Sequence, residues 1–200
     1  MTARVLVLLA GSATAKGPWA PRAAVRLARD LARSSGRTLL ADLDLREPRL
    51  HEVLGVANDE GVSDVFLWGA SFRRVAHKVE PGLLFAPAGT VVPDPASVAE
   101  SHRWEAITDG FGKARATLAL YLPTDAPGSA PLLGRASDVV VLATREEAAR
   151  MALGNATEKV RAVLGPPEEE AAVDVPGAER EAPSPPAVET PAWRPPPRPA

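Results

Sequence analysis

The chain has 200 residues, 46% of them hydrophobic, and a formal net charge of −2 at neutral pH. That length suffices for one domain with a sizeable core, and so small a charge gives no electrostatic case for nucleic acid, whose binders carry a basic face. Cysteine is absent, which excludes disulfides and thiolate metal sites and fits a reducing compartment.

Val5–Leu9 is continuously apolar, the pattern of a strand buried on both faces. The apolar run ends at Ala10, too short to cross a bilayer and shorter than the apolar region of a secretory signal, so neither is expected. A small-residue loop follows, Gly11-Ser12-Ala13-Thr14-Ala15-Lys16-Gly17-Pro18-Trp19-Ala20. Pro21 suits a first helical position, and Ala24, Val25, Leu27, Ala28, Leu31 and Ala32 recur at helical spacing until Gly36.

Thr38–Leu43 is the second predicted strand, and it runs into Asp42-Leu43-Asp44-Leu45-Arg46-Glu47-Pro48. Acidic groups at alternate positions are thereby delivered to the carboxyl edge of a sheet, where open α/β folds place phosphate and magnesium chemistry. The plain alternative is that this pair caps a turn or pairs with Arg46 and Arg49. Leu50, Val53 and Leu54 predict a short helix ending at Gly55. Ser63 reads as the cap of a helix holding Val65, Phe66 and Leu67.

Leu83–Pro87 is a third strand, and a helix is expected over Ala96–Lys113 with Val98, Trp104, Ile107 and Phe111 inward. Thr117–Leu122 and Val139–Ala143 bring the strands to five. A last helix is expected over Glu146–Leu164, with Ala149, Leu153, Ala156, Val160 and Val163 on one side and no strand after it. Alternating strands and helices predict an α/β fold, a mostly parallel sheet of about five strands flanked by helices. Composition shifts at Gly165. Residues 166–200 hold 11 of the 21 prolines and an acidic cluster, Glu168–Glu170. The organisation expected is a domain over 1–165 and a disordered proline-rich tail over 166–200, with Trp193–Pro199 suited to a polyproline helix that could dock on a partner.

The segment between the first strand and its helix occupies the place of a phosphate loop, G-x-x-x-x-G-K-[ST], which supplies backbone N–H groups, a lysine and a hydroxyl for magnesium. Counted from the helix, Ala20 stands where the lysine belongs and Pro21 where the hydroxyl belongs. No serine or threonine occurs between Thr14 and Ser34, and Pro18 and Pro21 remove two donors. Losing lysine and hydroxyl together predicts a loss of roughly two to four orders of magnitude in triphosphate affinity. At the end of the strand Thr117–Leu122, Tyr121 stands where a metal-orienting aspartate is expected, with Asp125 the nearest substitute. His51, His77 and His102 are scattered without ligand spacing, which argues against zinc.

Leu39–Pro48 resembles the second acidic motif of the bacterial tyrosine kinases of capsule and exopolysaccharide synthesis, a branch of the MinD/ParA-like phosphate-loop ATPases. Arg49–Gly55, Gly61–Val65 with Gly69, Pro81–Gly89, Pro93–Ala96 and Leu132–Val140 resemble further blocks in family order. The resemblance implies a cytoplasmic kinase domain that binds ATP and magnesium, self-associates, works with a membrane activator of the polysaccharide co-polymerase type, and is peripheral to the inner membrane through that partner. If the site is active, Asp42 and Asp44 are the catalytic and magnesium-side pair, and Lys16, Gly17 and Arg46 the residues that contact nucleotide. The family's carboxy-terminal tyrosine cluster is absent, since Tyr121 is the sole tyrosine. The expectation is therefore a degenerate, catalytically inactive relative acting as a regulatory or binding module, with no resident cofactor. Two alternatives stand beside it: an active kinase or ATPase with an unorthodox loop, and a ParA/MinD-like positioning protein.

Overall fold

The computed structural model describes residues 4–167, so apart from Pro166 and Pro167 the expected tail, including Trp193–Pro199, lies outside the described residues. One seven-stranded sheet runs in the order β3-β4-β2-β5-β1-β6-β7, with β1 at Arg4–Ala10, β2 at Thr38–Asp42, β3 at His77–Glu80, β4 at Leu83–Ala86, β5 at Thr117–Pro123, β6 at Asp138–Leu142 and β7 at Val160–Leu164. All neighbours are parallel except β3 with β4. Every residue of β5 is buried, as is every residue of β1 after Arg4. Helices cover both faces of a parallel sheet, so its central strands can be apolar throughout.

One face carries α2 (Trp19–Ser35), whose Ala20, Ala24, Val25, Ala28 and Ala32 are buried on Leu6, Leu8, Leu40 and Phe85. Pro21 lies in its first turn, where its missing N–H breaks no helical bond. With α2 packs α3 (Leu50–Leu54), which ends at Gly55 as the sequence predicts. The opposite face carries α4 (Val62–Leu67), α5 (Phe72–Val75), α6 (Pro95–Ala99), α7 (Arg103–Ala114) and α8 (Ser129–Arg135).

Four expectations need correction. The sheet has seven strands, not about five. β3 was missed because His77-Lys78-Val79-Glu80 is short and half polar, and a hairpin turn at Pro81-Gly82 returns it against β4. Gly82 holds φ +83, and a Cβ there would stand 2.1 Å from the Gly36 carbonyl oxygen. The helix expected over Ala96–Lys113 breaks at Glu100–His102 into α6 and α7. The break lets buried Trp104 fold back, its Nε1 donating to the Val98 carbonyl at 2.8 Å.

The helix expected over Glu146–Leu164 is the largest departure. Only α9 (Arg145–Arg150) is α-helical; a 3-10 turn at Gly154–Lys159 leads into β7, the strand that was not expected there. Gly154 sits at φ +50, and Val160–Leu164 pairs along an otherwise bare edge of β6. That ladder satisfies backbone groups on both strands; of the residues that read as a helical stripe only Val160 and Val163 fall in β7, and Val163 is exposed there. Ser63 also lies inside α4 and does not cap it. The N–H of Gly61 donates to the Asp64 carboxylate at 2.7 Å.

Candidate functional site

The loops that leave β1, β2, β5 and β6 meet at the carboxyl edge of the sheet, the edge where α/β folds bind ligands. After β1 the chain coils at once into α1 (Ser12–Lys16), a single turn and a half where the sequence suggests an open loop. Gly17 ends it, its N–H donating to the Thr14 carbonyl at 3.2 Å. Lys16 is exposed and lines a cleft of about 140 Å3 together with Asp44, Arg46, Glu47 and Asp125. Four of the predicted groups therefore do converge: Lys16 from the first loop, Asp44 and Arg46 from the second, and Asp125 from the third.

Asp42 is not among them. It has no exposed surface, and both its oxygens serve the backbone. Oδ1 accepts from the Asp44 N–H at 3.1 Å and Oδ2 from the Leu50 N–H at 3.3 Å, which caps the first turn of α3. Burial pushes its carboxyl up to about 8, opposed by those two bonds and aided by the neighbouring Asp44 charge. At neutral pH this group is therefore mostly protonated. Asp44 is less deeply set, with its Oδ1 accepting from the Glu47 N–H at 3.0 Å. Burial again raises its carboxyl, against backbone bonds from Glu47 and Arg46. The turn after β2 is thus built by its own carboxylates, the plain reading of the pair, while Asp44 also faces the cleft.

Tyr121 stands opposite Asp42 in register on β5. Its ring is buried and its hydroxyl has no hydrogen-bond partner among the described residues. Burial first, then the charges of Asp42 and Asp44, raise the phenol above its ordinary range. The position expected to hold a metal-orienting carboxylate is filled by an aromatic ring. Among the described residues, no three His, Asp or Glu side chains stand together as a metal ion would require.

The residue that sequence reasoning missed is Glu147. It caps its own helix, with Thr144 Oγ1 accepting from the Glu147 N–H at 3.2 Å and the Thr144 N–H donating to Glu147 Oε2 at 3.4 Å. The same carboxylate reaches across to the loop after β1. Its Oε1 accepts from the N–H groups of Ala13 at 2.9 Å and Thr14 at 3.3 Å, and its Oε2 accepts from the Thr14 hydroxyl. Burial alone would raise this carboxyl, but the bonds from Thr14, Ala13 and Thr144 outweigh it and hold the group below the ordinary glutamate range. Thr144-x-x-Glu147 is legible in sequence as a capping box; its reach across 133 positions to Thr14 is not.

Asp64 forms a second buried knot, away from the cleft. It accepts from Gly61 N–H, from Thr90 N–H at 3.2 Å and from Thr90 Oγ1 at 2.7 Å, tying α4 to the loop after β4. Burial opposes its charge, and these bonds carry its carboxyl below the usual range.

No family model matches the chain. EpsB of Ralstonia solanacearum, named as a tyrosine-protein kinase, is 30% identical over 140 residues, which is 68% of this chain and 18% of EpsB. The chain thus spans less than a fifth of that relative's length. The BceF tyrosine kinase domain superposes with a TM-score of 0.65 at 26% identity, over 81% of this chain and 68% of that domain. A ParA family ATPase from Chlorobium tepidum matches in fold alone, with a TM-score of 0.58 at 13% identity over 81% of this chain and 73% of its own. Sequence shared with EpsB and with the BceF domain puts the chain with the bacterial tyrosine-kinase domains, and its likeness to the ParA family ATPase is one of fold.

Proposed function

We propose that this is a catalytically inactive, tyrosine-kinase-like domain that works as a binding or regulatory module in capsular or exopolysaccharide assembly. The observation that carries the reading is the start of α2, where Ala20 and Pro21, both buried, stand in place of the lysine and hydroxyl that grip a triphosphate and its metal. ATP and magnesium are what the family implies, and the residues present do not fit them. The loop's amides at Ala13 and Thr14 are already bonded to Glu147, Asp42 is buried and committed to two backbone N–H groups, and Tyr121 fills the metal-orienting position.

Such a module acts through protein contacts, with a polysaccharide co-polymerase or similar membrane activator as the partner, in the cytoplasm and against the membrane only through that partner. No helix among the described residues is long and apolar enough to cross a membrane.

One observation favours a second reading, a kinase or ATPase with an unorthodox loop: Lys16, Asp44 and Arg46 line one cleft. Incubation of the full chain with radiolabelled ATP and magnesium separates the two. The inactive module gives no turnover above a buffer blank. Robust turnover that Asp44→Asn abolishes would establish the enzyme. Thermal unfolding with ATP–magnesium gives a parallel readout, since ligand at a hundredfold excess over its dissociation constant adds about 2.7 kcal/mol. No shift is expected at millimolar ATP.

A further inference from the structure

The outer side of α2 carries a line of like charge. At about 3.6 residues per turn, Arg22, Arg26, Arg29 and Arg33 fall within about 60° of arc, away from the buried Ala24, Val25, Ala28 and Ala32. They follow one another along about 16 Å of helix, in steps of about 4.5–6 Å. Residues 16–37 hold six basic side chains against one acidic, Asp30, although acidic residues outnumber basic ones 25 to 23 over the whole chain. The near-neutral total conceals a basic face.

That arrangement works against the helix that bears it. Arg22 closes the first turn, where the positive end of the helix dipole disfavours a cation and no acidic residue compensates it. Arg22 with Arg26, and Arg29 with Arg33, are like charges one turn apart, which repel. Arg29 is tied to Glu80 of β3 at 2.6 Å and Arg33 to Asp30 at 3.1 Å. Arg22 and Arg26 are exposed and have no ion-pair partner among the described residues. A merely solvated surface is served by mixed charges. Aligning charges that repel breaks a local rule, and such breaks concentrate at functional positions. The residue type adds to this, because a guanidinium forks onto a carboxylate with two parallel bonds and the point charge of a lysine does not.

We propose that the arginine stripe of α2 is a docking surface for an acidic protein segment, one whose carboxylates repeat about every 6 Å as they do along one face of a helix. Arg22 and Arg26 make the first contacts, and Arg33, whose pair with Asp30 is open to solvent, extends them. The proposal rests on the reading of this domain as a module that acts through protein contacts, and it gives the chemistry of the partner.

The test is fluorescence anisotropy of a labelled alanine-based peptide with glutamates at positions i, i+4, i+7 and i+11. It is titrated with the full chain as wild type, Arg22→Glu/Arg26→Glu and Arg22→Gln/Arg26→Gln. Wild type binds at low ionic strength and releases the peptide as salt rises, since exposed charges are screened beyond about 8 Å at physiological salt. An isomeric peptide with the same glutamates scattered around the helix binds less tightly. The Glu double variant binds roughly tenfold more weakly, the factor for two exposed ion pairs, and the Gln double variant falls between. Thermal unfolding separates docking from structure. Both variants unfold at the wild-type temperature or higher, because each relieves the repulsion along the stripe and the clash with the dipole.

No binding by wild type, equal binding by the Glu double variant, or no preference for the aligned peptide would overturn the proposal. A lower unfolding temperature in both variants would do so too, by giving the arginines a structural role. Tighter capture of duplex DNA or of phosphatidylglycerol vesicles than of the peptide would reassign the stripe to nucleic acid or lipid. ATP turnover by wild type would sink the inactive-module reading and leave the peptide result standing. Failure of peptide binding would sink the stripe alone and leave the argument from Ala20 and Pro21 untouched.

Discussion

Between about pH 5 and about pH 8 the domain is expected to lose stability through Asp42. Its carboxyl titrates near the model-compound value of 3.8 in the unfolded chain and is pushed up to about 8 in the fold, chiefly by burial. Between those values the folded chain holds a proton that the unfolded chain has released. Stability then falls as pH rises, by about 1.4 kcal/mol per pH unit. Integrated from about pH 5 to about pH 8, the loss is roughly 3–4 kcal/mol, a large part of the ~5–15 kcal/mol of a typical domain. Asp44 is shifted in the same direction, so it too lowers stability as pH rises above the unfolded carboxylate range. Glu147, Asp64 and Asp138 are shifted down, so they stabilise above the unfolded carboxylate range and lose that effect only below about pH 4, outside this window. Asp42→Asn removes the linkage but leaves one of two backbone N–H groups without its acceptor, at a cost of about 1–3 kcal/mol at low pH. Urea unfolding followed by circular dichroism at a series of pH values, wild type against variant, isolates Asp42 together with its coupling to the neighbouring Asp44, because the more distant groups cancel. The curves should converge and then cross as pH rises. Curves that run parallel across the window would mean that Asp42 is ionised in the fold, and the assignment of a protonated turn would be wrong.

Two substitutions test the packing around the site. Tyr121→Phe deletes a buried hydroxyl without a partner, and is expected to leave stability unchanged or raise it by up to about 1 kcal/mol, whereas a loss beyond about 1 kcal/mol in urea unfolding would show that the hydroxyl is bonded. Gly82→Ala places a Cβ 2.1 Å from the Gly36 carbonyl oxygen on a residue at φ +83, and is expected to cost roughly 2–4 kcal/mol by separating the β3–β4 turn from the end of α2, where a cost under about 1 kcal/mol would refute the close approach.

The legible parts of this fold were those in which one local pattern has one physical solution. Val5–Leu9 and Thr117–Leu122 can be buried on both faces only as central strands of a helix-covered sheet, and Gly55 closes α3 where a left-handed residue is needed. Segments with two solutions were misread. Ala149, Leu153, Ala156, Val160 and Val163 fit a helical stripe, yet the last five residues of that stretch are rich in the β-branched and apolar types that suit a strand, and the bare edge of β6 decides for it. At the site, the absent lysine and hydroxyl could be read directly because they are identities at counted positions. The destinations of Asp42, whose carboxylate turns to the Leu50 N–H eight residues on, and of Glu147 could not. Both depend on which loops the topology brings to one edge, and spacing along the chain carries no information about that.

The departures from an active phosphate site are physically coupled, which bears on how they could be reversed. Ala20 at the start of α2, Leu50 at the start of α3 and Tyr121 on β5 belong to one buried cluster on the α2 face of the sheet. A lysine at position 20 would put an ammonium into a position with no exposed surface, where a charge without a partner is costly enough to be neutralised instead. An aspartate at position 121 would remove a large ring from the same cluster and add a carboxyl beside one that is already pushed toward protonation, so it would leave a cavity and raise both groups further. Neither change alone recreates an anion site; each first destabilises the core that now fills it. Apolar side chains fill the space behind position 20 that an ammonium would need, which is why a single restored residue is not expected to recover nucleotide binding.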